Sequence, residues 1–323
     1  MNSSNEISFP FLVKASPENT FDFGKWMDTN SESFESDLSL HGAILFRGFN
    51  IDTAEKFNSV VKCFKSEPLE YMFRSSPRVE ISKSLKNVYL STTYPNDRSI
   101  QLHNETSYSR IWGRKIIFCC IKPADKGGET PIADSRKILK DLQPELVEKF
   151  RRKGVRYVRH LFPELGMPWQ EVFQTSNKDE VYKICEKFKI NIEFQKSDKA
   201  IISWNKPAIY SHPDTNEETW FNHILFFNKY TLYDEIGLEK DDYMPEEMLP
   251  SNTYFGDNTE ITYDEYLELT KAYANNKISF PYEKGDVLFL DNMITAHGRN
   301  PYEGDRTIAT AIIEPVSDIG YEK

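Results

Sequence analysis

The sequence predicts a mainly β chain with helices flanking a sandwich or barrel core. Three observations carry this. Short apolar and aromatic runs recur along the 323 residues, many of them bounded by turn residues. Only a few stretches show helical spacing, which suits helices packed outside a β core. The aromatic content is high, with 22 Phe, 17 Tyr and 5 Trp, and favours β-rich packing and lined pockets. No repeat, low-complexity tract or linker divides the chain, so 1–323 is expected to form one domain.

Taken in order, Phe9 to Lys14 reads as a short strand and Phe21 to Leu38 as a helix with spaced aromatics. Ala43 to Phe49 is a core strand, and Thr53 to Phe64 carries Ala54, Phe57, Val60, Val61 and Phe64 near helical spacing. Lys65 to Arg98, interrupted by Pro68, Pro77 and Pro95, reads as a long loop. Lys115 to Ile121 is a strand, and Lys126-Gly127-Gly128 is a turn. Two short helices follow, Ser135 to Leu142 and Pro144 to Lys153, the second opened by its proline.

Val155 to Leu161 is a strand and Asp179 to Phe188 a helix, followed by strands at Ile190 to Gln195, Ala200 to Trp204 and Ala208 to Ser211. Trp220 to Phe227 reads as an aromatic strand, and the acidic stretch 234–257 as a surface excursion or lid. Thr262-Tyr263-Asp264-Glu265 is a capping box opening a helix to about Ala274. Strands at Ile278 to Tyr282, Val287 to Leu290 and Thr307 to Ile313 close the chain.

Charge narrows the function. Fifty Asp plus Glu against forty Lys plus Arg speaks against nucleic acid or an anionic membrane as partner. No apolar run approaches the ~18 residues of a membrane span, and Met1 to Pro17 lacks the pattern of a signal peptide. Cys63, Cys119, Cys120 and Cys185 form no C-x-x-C pair, and Cys119 and Cys120 face opposite ways in a strand. A cytoplasmic protein with buried, reduced cysteines is expected.

The chemistry centres on Gln101-Leu102-His103-Asn104-Glu105-Thr106-Ser107-Tyr108. If this stretch is extended, His103 and Glu105 point the same way and form half a metal site. His297, presented at a turn after the strand through Phe289-Leu290-Asp291, supplies the other half. Two imidazoles and one carboxylate with open positions suit non-haem Fe(II). Arg306 offers a planar fork of donors for a carboxylate. A metal beside such an arginine fits a small dicarboxylic co-substrate chelated to iron, and Thr130, after Gly127-Gly128-Glu129, could bond the same carboxylate. A second His-x-acid pair, His212-Pro213-Asp214, sits in a turn and ranks below the first.

The chain resembles the TauD/TfdA-type Fe(II)/2-oxoglutarate dioxygenases, within them the SyrP-like branch. The resemblance lies in Arg74-Ser75-Ser76-Pro77-Arg78, Ser91-Thr92-Thr93-Tyr94-Pro95, His103 to Tyr108, Gly127 to Arg136, Trp220-Phe221-Asn222, and Asp291-Asn292 through His297-Gly298-Arg299 to Arg306. It implies a double-stranded β-helix (jelly-roll) core, His103, Glu105 and His297 as iron ligands, and Arg306 and Thr130 holding the far carboxylate of 2-oxoglutarate, with O2 as the second co-substrate. The implied reaction oxidises an unactivated C–H bond of an amino acid, free or carrier-tethered, or of an amino-acid-derived metabolite. Succinate and CO2 are released, and hydroxylation is the first expectation, with cyclisation or desaturation as alternatives.

Glu105 fills the position that related halogenases leave vacant for chloride, which argues against halogenation. Arg74, Arg78, Arg110 and Arg299 are candidate partners for a substrate carboxylate, and Tyr94, Asn104, Asn222 and His223 further candidate substrate contacts. His223 stands where the resemblance leads one to expect Gln. A non-catalytic ligand sensor and a zinc hydrolase are the readings from other classes.

Overall fold

Alternation along two central strands builds the core. In Ile111–Lys122, Ile117 and Cys119 enter one apolar layer while Ile116, Phe118 and Cys120 enter another. Its neighbour Val287–Asp291 repeats this, with Val287 and Phe289 on one side and Leu288 and Leu290 on the other. Strands apolar on both faces must be covered on both faces. The computed structural model, which describes residues 8–16, 22–64, 66, 69, 81, 88–92 and 94–318, shows how.

The main sheet has six strands in the order Phe11–Lys14, Ala43–Arg47, Val287–Asp291, Ile111–Lys122, Thr307–Ser317 and Tyr89–Leu90. All its pairs are antiparallel except the first, where the helix Phe23–His41 makes the crossover. The Asp22 carboxylate caps that helix by accepting from Lys25 N at 3.1 Å. Its buried Phe23, Met27, Phe34 and Leu38 form one stripe against the sheet, where the rings of Phe34 and Phe289 lie 5.2 Å apart. Each fully buried Phe contributes ~1.5–3 kcal/mol.

The helix ends at Gly42, φ 76°, where a Cβ would fall 2.5 Å from Ile294 Cγ2. The Gly42 carbonyl accepts from Asp291 N at 2.9 Å and Thr295 Oγ1 at 2.7 Å, tying the helix end to the segment that carries His297.

The inner face of the main sheet is covered by a second sheet, Lys277–Ile278, Ile132–Asp134, Thr295–Arg299 and Ile100–His103. Ile132 packs among Ile116, Leu290 and Ile312, and the Phe118 ring lies 5.1 Å from the His297 ring. These two sheets are the expected jelly-roll sandwich. A third sheet, Ser251–Phe255, Val155–Leu161, Ala200–Lys206 and Asn191–Phe194, shares a separate core with the helices Pro144–Lys153, Lys178–Phe188 and Tyr263–Asn276. The capping box is present: Thr262 accepts from Glu265 N, and Glu265 accepts from Thr262 N.

The structure corrects several readings. Trp220 to Phe227 is not one strand: Glu218–Trp220 ends a hairpin with Ile209–Ser211, and Ile224–Phe227 is a helical turn. A run apolar at nearly every position has no period to separate the two states. His297 lies within the strand Thr295–Arg299 rather than at a turn. The stretch 234–257 is partly regular, since Lys229–Ile236 is a helix and Ser251–Phe255 pairs with Val155–Arg159. The strand expected at Ile278 to Tyr282 is only Lys277–Ile278, and Trp169–Phe173 adds a short helix. Cys119, Cys120 and Cys185 are buried, but Cys63 is only partly so. Most of 65–88, including Arg74 and Arg78, lies outside the described residues.

Candidate active site

Strand register makes the site. His103 ends the strand Ile100–His103 and His297 is the middle of Thr295–Arg299, and the two are direct partners across an antiparallel pair. Opposed residues share a face, so their rings stand 4.7 Å apart. The chain then leaves the strand in a turn at Asn104–Ser107, with Thr106 at φ 53°, and this turn carries Glu105 back beside both imidazoles. Glu105 Oε2 lies 3.8 Å from His103 Nε2 and 3.7 Å from His297 Nε2. One ligand atom from each of the three lies within 4.8 Å of the others, and their side chains are 7–11% exposed.

The turn is held by Asn292, which follows the strand Val287–Asp291. Its Oδ1 accepts from Glu105 N at 2.8 Å, and its Nδ2 donates to the carbonyls of Glu105 and Gly113, both at 2.9 Å. Asn104 donates back to the Asn292 carbonyl at 2.7 Å and to Ser135 Oγ at 3.1 Å. One residue earlier, buried Asp291 accepts from Met293 N, Arg114 Nε and His212 Nε2 at 3.0–3.1 Å. Burial pushes the Asp291 carboxyl upward, but the His212 hydrogen bond and the Arg114 charge prevail and hold it below the usual carboxylate range.

The donor set fits a ferrous ion. His103 Nδ1 lies 2.7 Å from the Gln101 carbonyl, which can only accept, so Nδ1 carries the proton and Nε2 turns its lone pair toward Glu105. A second-site hydrogen bond of this kind fixes the tautomer of a metal-binding histidine. Separations of 3.7–3.8 Å exceed hydrogen-bond length and leave room for a cation between carboxylate and imidazoles. Two imidazoles and one carboxylate on one side of an open cavity are the ligands of non-haem Fe(II) sites.

That cavity is about 240 Å³ and is lined by all three ligands together with Thr130 and Arg306. Arg306 donates from Nε to the Gly128 carbonyl at 2.8 Å and from Nη1 to Ser91 Oγ at 3.3 Å, with its guanidinium 5.5 Å from the Tyr302 ring. Burial depresses its pKa, yet a guanidinium stays charged. Gly127 and Gly128, at φ 69° and 73°, bring the backbone close beneath it: a Cβ on Gly128 would meet Arg306 Cδ at 3.0 Å. Thr130, 3% exposed, completes that end.

The remaining candidates divide. Tyr94 and His223 line the cavity. Arg299 lines it too, but its Nη groups donate to the carbonyls of Tyr94 (2.8 Å), Pro95 and Arg98 (2.5 Å), so it anchors a loop instead of receiving a substrate carboxylate. Arg110 points elsewhere, pairing with Asp318 at 3.4 Å beside Lys206 and Tyr210, because the turn after Glu105 carries the chain away from the cavity. Asn222 donates to the Ala208 carbonyl and accepts from Ile224 N, and Asn104 is fully buried in the Asn292 bracket; neither lines the cavity.

His212 Nε2 is held by Asp291 and Asp214 by Arg114, so that pair is structural. The sequence reading missed the bracketing role of Asn292, Ser91 under Arg306, and the cavity wall of Phe226, Leu232 and Glu235.

The comparisons agree with this geometry. Residues 8–311 match the family model "Taurine catabolism dioxygenase TauD, TfdA family". The dapdiamide synthesis protein DdaC of Enterobacter agglomerans is 36% identical over 279 residues, covering 86% of this chain and 84% of the relative. A clavaminate synthase-like protein of Arabidopsis thaliana is 27% identical over 90% of this chain and 87% of its own length. Among solved structures, a taurine dioxygenase from Burkholderia xenovorans superposes with a TM-score of 0.53 at 15% identity, over 96% of this chain and 89% of that one. PvcB of Pseudomonas aeruginosa gives 0.52 at 14% identity over 97% and 89%, a likeness of fold. The match along most of the chain and the 36% identity decide the matter: the chain belongs to the TauD/TfdA family of dioxygenases.

Proposed function

We propose that this dioxygenase hydroxylates an unactivated C–H bond of an amino acid or amino-acid-derived metabolite. The observation that carries the reading is that His103, Glu105 and His297 meet on the wall of a cavity that also contains Arg306 and Thr130. Fe(II) bound with 2-oxoglutarate and O2 supplies an oxidant able to take a hydrogen atom from carbon, with succinate and CO2 as co-products. The residues of this chain do the rest. His103, Glu105 and His297 would hold the metal, and the cavity they line would admit the co-substrates. Arg306 and Thr130 hold the far carboxylate of 2-oxoglutarate and thereby orient it. Phe118 and Phe226 keep the wall near the metal apolar, which limits water there.

An amino-acid-like substrate is supported by the nearer relative, which serves dapdiamide synthesis. The chain works as one domain in this reading, and the stretch 234–257, from which Glu235, Pro250 and Ser251 line the cavity, is the part that would close over it. The test is direct. Protein loaded anaerobically with Fe(II) and 2-oxoglutarate should develop the visible charge-transfer absorption of a chelated keto acid and should form succinate in air with amino-acid-like substrates. Protein that binds Zn(II) and hydrolyses a substrate without oxygen would overturn the reading.

A further inference from the structure

Among the described residues, the two arginines of the cavity and the donors on the wall opposite them are committed to other groups. Arg306 holds Gly128 and Ser91, and Arg299 holds the loop 94–98. On the wall facing the metal, the donors turn away from the cavity. Thr231 Oγ1 donates to the Leu225 carbonyl at 2.7 Å, Asn228 Nδ2 to Thr253 Oγ1 at 2.9 Å, and Ser251 Oγ to the Phe227 carbonyl at 3.1 Å.

Two acceptors on that wall receive no donor from a described residue. Glu235, in the last turn of Lys229–Ile236, lines the cavity from an exposed position at its mouth and makes no hydrogen bond or ion pair with any described residue. His223 is 3% exposed, and its Nδ1 lies 3.3 Å from both the Asn104 carbonyl and Ser107 Oγ. Ser107 Oγ already donates to that carbonyl at 2.7 Å, so Nδ1 faces two acceptors and carries the proton, and Nε2, buried and without a partner among the described residues, is a lone pair on a residue that lines the cavity. A buried acceptor without a donor is unfavourable unless a ligand supplies one. The C-terminal end of the helix carrying Glu235 adds further negative potential. The substrate wall is therefore built to receive donors and positive charge.

We propose that the substrate carries an ammonium group, bound by Glu235 at the cavity mouth, and an N–H or O–H nearer the metal that donates to His223 Nε2. This rests on the oxygenase reading and names the recognition element within it. Among the described residues, the basic group whose charge acts on Glu235 is Arg98, which belongs to the loop that Arg299 anchors.

The experiment uses full-length protein loaded anaerobically with Fe(II) and 2-oxoglutarate. It is titrated with matched pairs of probes, the free L-amino acids and their N-acetyl derivatives, followed by calorimetry and by perturbation of the charge-transfer absorption. At least one free amino acid should bind, its N-acetyl partner about tenfold or more weakly, and Glu235→Gln should remove that preference while the 2-oxoglutarate affinity stays within about twofold. Glu235→Lys should reverse the preference toward the acetylated probe. Equal binding of both partners, an unchanged preference in Glu235→Gln, or no response to any free amine overturns the proposal and leaves the oxygenase reading standing. Failure of the charge-transfer absorption to form at all removes that reading and this one together.

Discussion

Two His-x-acid pairs lie in this chain, and among the described residues only the first belongs to a cluster that could hold a metal ion. His103/Glu105 and His212/Asp214 have the same spacing and both histidines are largely buried. The difference is where each Nε2 goes. His103 gives Nδ1 to a carbonyl and leaves Nε2 facing a cavity, a carboxylate and a second imidazole. His212 places Nε2 on Asp291 at 3.0 Å, and Asp214 reaches out to Arg114 at 2.6 Å. The first pair lies beside a strand that already opposes His297. The second lies in a turn whose partners are already an acid and a base. Spacing proposes a ligand pair; the partner of the remaining nitrogen decides whether it is one.

The sharpest way to break this comparison is at the first pair. Glu105→Ala or His103→Ala should abolish 2-oxoglutarate turnover, a loss larger than the ~10–100-fold that removing an outer partner of a metal ligand costs. Succinate release measures it, and full turnover in Glu105→Ala would sink the assignment. Arg306→Ala should act next most strongly and differently. Losing a hydrogen bond to a charged group costs ~1.5–3 kcal/mol, or about 10- to 150-fold in the KM for 2-oxoglutarate, with a smaller change in kcat.

Asn292→Ala should weaken iron binding by about 10–100-fold, because the Glu105 turn loses its bracket while the ligands themselves remain. A chelator competition under nitrogen reads this without any turnover.

How much of this was legible in the sequence follows from the range of the interactions. The capping box at Thr262–Glu265 and the helix Pro144–Lys153 are written locally, and the sequence predicts the start of each helix where the structure has it. The triad was legible because its residue types are specific and the resemblance covers their order. Asn292 was not legible as a bracket, since its partners Glu105 and Gly113 lie 187 and 179 positions away and an Asn in isolation says nothing of them. The helical turn Ile224–Phe227 was hidden by uniform apolarity, and Arg299 and Arg110 were indistinguishable as surface, anchor or ligand until their partners were placed. Position along the chain gives chemistry; the commitments of each polar group come only with the fold.

The second pair sharpens the comparison from the other side. His212→Ala should cost about 1–3 kcal/mol of stability by leaving buried Asp291 short of a donor, with iron affinity falling less than in Asn292→Ala. Acid makes the same point. The folded pKa of Asp291 is depressed, so its contribution is full above the ordinary carboxylate value of about 3.9 and is lost as pH falls through the lower folded value. Urea midpoints across that acid window should show a steeper loss for the native chain than for Asp291→Asn.

Asp214 is the smallest test and the most discriminating about motif spacing. Its side chain is 58% exposed, although it touches a guanidinium that is 14% exposed. An exposed partner gains little from the pairing, because water competes for its carboxylate and salt screens the attraction. Arg114 keeps Asp291 and so does not become an unpaired buried charge. Asp214→Ala should therefore shift stability by no more than ~0.5 kcal/mol, fading further at high salt, and should leave turnover and iron affinity unchanged. Glu105→Ala removes the acid at the same place in the same three-residue pattern and should abolish function. A loss of iron binding in Asp214→Ala would mean that the second pair joins the site after all, and that the partner of Nε2 does not separate a ligand from a prop.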